Sequence, residues 1–162
     1  MRLTYQTDYA LRLLMYLAVR GGETCKVADV AASHGISRNH LLKVALRLGK
    51  LGYVTTLRGR AGGIVLALPP EQINLGQVVR QMEESLALVE CMGAQGGKCV
   101  ISPACKLRGV MTKALDAFLS VFDTHTLADI VGNSADLFEL LGFVREPDST
   151  KFLAESRGDA RA

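Results

Sequence analysis

The chain has 162 residues, 49% of them hydrophobic, and a formal net charge of +3. That is enough apolar material for one cored domain, or one domain with an appendage, while no apolar run reaches the roughly 18 residues of a membrane span. Met1–Asp8 carries no apolar signal core, so a cytoplasmic protein with reduced thiols is expected. The charge is uneven. Residues 1–80 hold eleven Lys/Arg against four Asp/Glu, and residues 81–162 hold eight against twelve. A basic front half is the footprint of a polyanion partner such as nucleic acid. No nucleophile triad or nucleotide-binding motif is present, and His34, His40 and His125 share no spacing. The chain is not read as an enzyme.

In chain order, residues 8–20 predict a buried helix, capped by Thr7 or Asp8 and ended by Gly21-Gly22. Residues 26–34 predict a short amphipathic helix that Gly35 stops. Ser37 then caps a helix from Arg38 to about Leu48, with Leu41, Leu42, Val44 and Leu48 facing inward. Two β-prone runs, 53–56 and 64–68, flank the basic glycine-rich tip Leu57-Arg-Gly-Arg-Ala-Gly-Gly63. Helix, turn, helix and hairpin in this order predict a winged helix-turn-helix over residues 1–70. The fold class expected is mainly α with a small β-hairpin wing.

Such a fold presents the start of its second helix to the major groove. Ser37, Arg38, Asn39 and His40 occupy that start. Arg pairs bidentately with guanine and Asn with adenine. Lys43 and Arg47 lie further along, within reach of phosphates. In the wing, Arg58 and Arg60 flank Gly59, where an arginine can enter a narrow minor groove. The competing reading is a solvated basic face with a glycine turn. The partner expected is double-stranded operator DNA.

Residues 71–143 form the second region. Asn74 caps a helix expected to run to about Leu88. Cys91, Cys99 and Cys105 follow, with seven and then five residues between them, on a stretch containing Gly93, Gly96 and Gly97. Thiolates are the usual ligands of iron–sulfur clusters and common ligands of zinc, and glycines let a backbone bend around a metal. Zinc sites commonly use Cys-x2-Cys pairs, which are absent here. A fourth ligand must come from elsewhere, the partner subunit included. His125 is distant, and Cys25 is read as a plain small side chain. Asp8 stands either as the cap of the first helix or as a ligand. Residues 106–122 predict a long helix with apolar residues at 3–4 spacing, from Leu107 to Phe122, expected to be a dimer seam or to pack on its own domain. Thr126 caps a last helix from Leu127 to Val131. Residues 144–162 are read as a polar flexible tail.

These features resemble the Rrf-two family of bacterial iron–sulfur transcription regulators, to about residue 143. The resemblance rests on Met1-Arg-Leu-Thr4, Thr7-Asp-Tyr-Ala10, Ser37-Arg-Asn-His-Leu-Leu-Lys43, Arg58-Gly-Arg-Ala-Gly-Gly63, the three cysteines and Thr126-Leu-Ala-Asp-Ile-Val131. Ser37–His40 and Ile101-Ser-Pro-Ala-Cys-Lys-Leu107 are most similar to the family's nitric-oxide-sensitive repressors. The resemblance implies a homodimer crossed through the long helix, with a [4Fe-4S] cluster in each subunit. It implies Cys91, Cys99 and Cys105 as ligands, Asp8 from the partner subunit as the fourth, and Arg12 supporting Asp8 one helical turn away. Two departures stand out. The seven-residue gap resembles the family's iron-responsive branch. Arg108 stands where the [2Fe-2S] members carry a ligand histidine, which disfavours the alternative [2Fe-2S] cluster. The function implied is a repressor that loses DNA when nitric oxide reacts at the cluster. The alternatives are a regulator of iron or iron–sulfur status and a metal-free thiol redox switch.

Overall fold

The computed structural model describes residues 2–59, 62–93, 96 and 98–143. Arg60 and the tail expected from residue 144 lie outside the described residues. The first helix, α1, runs Tyr5–Val19, three residues earlier than expected. Its cap is Thr4, whose Oγ1 accepts from the Thr7 amide at 3.4 Å. Neither residue expected to cap does so. Thr7 is fully buried and turned to Glu83, and Asp8 reaches forward to Arg12. Ala10, Leu13, Leu14 and Leu17, at 3–4 spacing, put one whole face of α1 into the core.

Helix α2 runs Val27–Ser33. Gly35, at φ +62°, makes the left-handed turn that only glycine adopts without cost. Helix α3 then runs Arg38–Lys50. Ser37 sits at its N-cap position, but its side chain bonds no helix amide, so the expected side-chain cap is not formed. The inner face is Leu41, Val44, Ala45 and Leu48, whereas Leu42 is half-buried. The 3–4 spacing that starts at Leu41 selects Ala45, not its neighbour Leu42.

Strands β1 (Val54–Leu57) and β2 (Gly63–Leu66) pair antiparallel, with Val54 opposite Leu66 and Leu57 opposite Gly63. Cys25 docks on the other side of β2: its amide donates to the Ile64 carbonyl at 2.9 Å and its carbonyl accepts from the Ile64 amide at 2.8 Å. The wing is thereby stitched to the loop before α2. Gly63 permits this, because a Cβ there would collide with the Cys25 carbonyl and lie 2.8 Å from the Thr24 methyl. Gly63→Ala is expected to lower stability by about 1–3 kcal/mol, as overpacking against backbone does. Denaturant unfolding checks this; an unchanged midpoint would show that the wing does not depend on the contact.

Helix α4 runs Leu75–Met82, capped by Asn74, whose Oδ1 accepts from the Gln77 amide at 3.0 Å. It was expected to continue to about Leu88. It stops because Glu83 turns to extended backbone (ψ 138°) and its carboxylate is held by Thr4 and Thr7. Glu83-Glu84 would also oppose the negative end of the helix dipole. The long helix α5 runs Leu107–Asp123, as the periodicity predicts. Its C-terminal end is fastened to α4: Asn74 Nδ2 donates to the Asp123 carbonyl at 2.8 Å, and the Arg80 guanidinium pairs with the Asp123 carboxylate. That pairing holds the Asp123 carboxyl below its ordinary pKa.

Helix α6 (Leu127–Ile130) carries a capping box between Thr126 and Asp129. A seventh helix, α7 (Ser134–Leu140), was not anticipated, because Gly132, Asn133 and Gly142 read as turns. It returns the chain to the winged region. The Phe143 ring lies 4.8 Å from Tyr16 and 4.9 Å from Phe138, with the Arg20 guanidinium 4.7 Å above it. One buried cluster runs from Ala10 through Val44, Ile64 and Val78 to Leu127. The core therefore continues across residue 70, where the two regions were expected to meet.

Candidate DNA interface and thiol site

The first turn of helix α3 presents a polar side to solvent. Ser37, Arg38, Asn39, His40 and Lys43 all face solvent, while Leu41, Val44 and Leu48 hold the opposite side in the core. This division gives a polar, cationic helix edge on a rigid seat, the form needed to enter a major groove. Arg58 and Gly59 at the wing tip are also exposed. Gly59 has φ +111°, which turns the chain sharply beside Arg58.

Arg47 behaves differently. Expected to reach phosphate, it is half-buried. Its guanidinium donates to Gln6 Oε1 at 2.9 Å on α1 and to the Gln81 carbonyl at 2.7 Å on α4. It ties three helices together. A groove lined by Tyr5, Gln6 and Tyr9 of α1 and by His40, Lys43 and Val44 of α3 runs alongside the recognition helix. The start of α1 is thus part of this surface. Tyr5 is 60% exposed, and the Arg2 guanidinium lies 4.5 Å above its ring. The signal was present in the sequence as Tyr5 and Tyr9 one helical turn apart, with Arg2 just ahead of the helix.

The thiols divide by environment. Cys25 is 5% exposed, its Sγ donates to the Glu23 carbonyl, and burial pushes its pKa up. A buried protonated thiol is an inert packing group. Cys91 and Cys105 are half-buried, Cys99 is exposed, and none of the four forms a disulfide. Cys91 lies in the 3-10 turn Glu90–Met92, which packs against α5. Cys105 ends a second such turn, Ser102–Ala104, directly before α5. No side chain caps α5, so its first amides are available to favour negative charge beside Cys105.

Asp8 accepts from Arg12 Nε at 3.0 Å and pairs with its terminal nitrogen at 3.0 Å. It remains 39% exposed, in a groove with Arg2, Leu3, Tyr5 and Leu11. Among the described residues, no three His, Cys, Asp or Glu side chains stand together as a metal-binding set. The single chain therefore does not gather the three cysteines and Asp8 at one point. The donor chemistry nonetheless fits an anionic iron–sulfur cluster: three thiols free of disulfides, at least one of them open to solvent, the last of them at the uncapped start of a helix.

The outer face of α5 is bare. Leu107, Val110 and Val121 are 55–60% exposed, and only Leu119 of this helix is buried. No helix among the described residues is long and apolar enough to cross a membrane.

Comparison with known proteins places this geometry. A regulator named "HTH-type transcriptional regulator NsrR" from Bacillus subtilis is 51% identical over 142 residues, covering 87% of this chain and 97% of its own. The regulator of the same name from Geobacillus kaustophilus is 50% identical, with the same coverage. Among solved structures, CymR, the global cysteine regulator of Bacillus subtilis, superposes with a TM-score of 0.66 at 26% identity. It covers 82% of this chain and 98% of its own. The family described as "Rrf2: Iron-dependent Transcriptional regulator" matches residues 3–133. With a winged helix-turn-helix whose reading edge is free and a family match over most of its length, this chain belongs to the Rrf2 (Rrf-two) family of transcriptional regulators.

Proposed function

We propose that this regulator is a dimeric repressor whose hold on operator DNA depends on a [4Fe-4S] cluster and is lost on exposure to nitric oxide. The observation that carries the reading is the placement of the thiols. Cys105 sits at the start of α5 and Cys91 in a turn packed against that helix, which is fastened to the winged core at its far end and bare along its outer face. Ligand state, dimer surface and DNA reader are thereby parts of one connected body. Cys91, Cys99 and Cys105 would hold the cluster, with Asp8 of a second copy as fourth ligand. When bound, the cluster supplies iron that nitric oxide attacks.

The chain's own residues do the rest. Arg12 orients the Asp8 carboxylate. The amides at the start of α5 favour the negative charge of the thiolate set. A second copy seated on the exposed Leu107 and Val110 would remove apolar surface from water. A twofold dimer places two α3 edges about one DNA turn apart, which suits an inverted repeat. Asp8, if it held the cluster, would tie that site to α1, whose Gln6 and Thr7 are bonded to α3 and to the end of α4.

The relatives named NsrR support this reading over an iron-status regulator, while the seven-residue gap between Cys91 and Cys99 favours the latter. Native mass spectrometry of anaerobically reconstituted protein tests the assembly. The expected species is a dimer carrying the mass of one [4Fe-4S] cluster per subunit. A colourless protein, or a zinc adduct alone, would overturn it. Decay of the cluster under an iron chelator, with indifference to nitric oxide, would move the signal to iron.

A further inference from the structure

The end of α4 carries two polar fasteners that neither DNA reading nor thiol ligation uses. Glu83 Oε1 accepts from the Thr4 amide at 2.8 Å, from Thr4 Oγ1 at 3.1 Å and from the hydroxyl of the fully buried Thr7. All three bonds end on one carboxylate oxygen. Two residues earlier, the Gln81 carbonyl accepts from Arg47 of the recognition helix, whose other terminal nitrogen donates to Gln6 of α1. The chain leaving Glu83 then lines a groove with Arg2 and Leu3 through Ser85–Leu88, and reaches Cys91 eight residues on. Glu83 is thus where the segment leading to Cys91 joins the start of α1, two residues from the point where Arg47 joins α4 to the last turn of α3.

We propose that Glu83 and Arg47 are positioning residues forming a relay: Glu83 clamps the Cys91 segment to the start of α1, and Arg47 passes the position of that junction to the recognition helix. This rests on the cluster-coupled reading above and adds the route of coupling. It also reassigns Arg47 from phosphate contact to internal tie. A charged acceptor with three donors is a strong and directional anchor. A guanidinium fork bridging two other helices adds directional contacts to the apolar seat of α3.

The test measures operator affinity of cluster-loaded and cluster-free protein on an inverted-repeat duplex selected from a random pool, across a salt series. Wild type sets the loaded-to-free affinity ratio. In Glu83→Ala and in Arg47→Met that ratio is expected to fall about tenfold, within the range of allosteric couplings, with the visible spectrum of the loaded protein unchanged. Glu83→Gln keeps the single acceptor oxygen and is expected to restore most of the ratio. Arg47→Met in the cluster-free protein is expected to leave the salt slope of binding unchanged, whereas loss of a phosphate contact would lower it by about one. A slope lower by about one, or an undiminished ratio in both variants, overturns the relay while the cluster-coupled reading stands. A wild-type ratio near one overturns both. Should Glu83→Ala not fold, Arg47→Met carries the test by itself.

Discussion

Cys99→Ala is expected to abolish specific operator binding while leaving the fold intact. Cys99 is exposed and lies outside the buried cluster, so its removal opens no cavity, and surface substitutions of this kind change stability by no more than about 0.5 kcal/mol. Its thiolate is nevertheless one of only three available in the 91–105 segment. With two thiolates left, the ligand set cannot close. Specific binding is expected to fall toward the non-specific level, a drop of about a thousandfold or more. Cys25→Ala is the control. That side chain is buried beside β2, so the variant should lose on the order of 1 kcal/mol of stability as a small cavity forms. It should keep the cluster and its response. Anaerobic absorbance, thermal unfolding and operator affinity of the two variants decide the matter. A colourless Cys25→Ala, or a Cys99→Ala that still binds and still responds, would reverse the assignment of the thiols.

The second large effect is expected at the edge of α3. Arg38→Ala and Asn39→Ala should each weaken operator binding by about 1–3 kcal/mol, roughly five- to 150-fold, with relaxed preference at one base position per half-site. Lys43→Ala should instead weaken binding evenly across sequences and lower the salt slope by about one. The difference follows from position: Arg38 and Asn39 stand in the first turn, and Lys43 stands further along the exposed face. Competition between the selected duplex and scrambled duplex separates the two behaviours. Uniform loss at Arg38 and Asn39, with sequence preference retained, would place those residues on phosphate and move base reading elsewhere.

The winged helix-turn-helix was legible because its signals are local. Gly35 between two amphipathic segments, the basic glycine tip between two β-prone runs and the 3–4 spacing of α5 each specify their element within a few residues. The errors arose where distant partners decide. Thr7 and Asp8 are both good caps in isolation, yet α1 begins at Tyr5 because Thr7 is drawn inward to a carboxylate 76 positions away. The same carboxylate ends α4 at Met82. Arg47 looks like a phosphate contact until Gln6 and Gln81 are brought beside it. Helix α7 has turn-forming residues at both ends and is seated through Phe143 just past its end, whose ring packs on Tyr16 and on Phe138 of α7. The three cysteines were legible as a group by spacing. Their closure into a ligand set was not, and among the described residues of the single chain no three His, Cys, Asp or Glu side chains stand together.

The central claim is that cluster state and DNA affinity are one equilibrium. The direct measurement is a stepwise anaerobic titration of the loaded dimer with nitric oxide, following visible absorbance and operator anisotropy in the same cuvette. Both signals are expected to change together, with operator binding lost as the cluster spectrum is consumed. A cluster spectrum that disappears while the operator stays bound with unchanged affinity would contradict it.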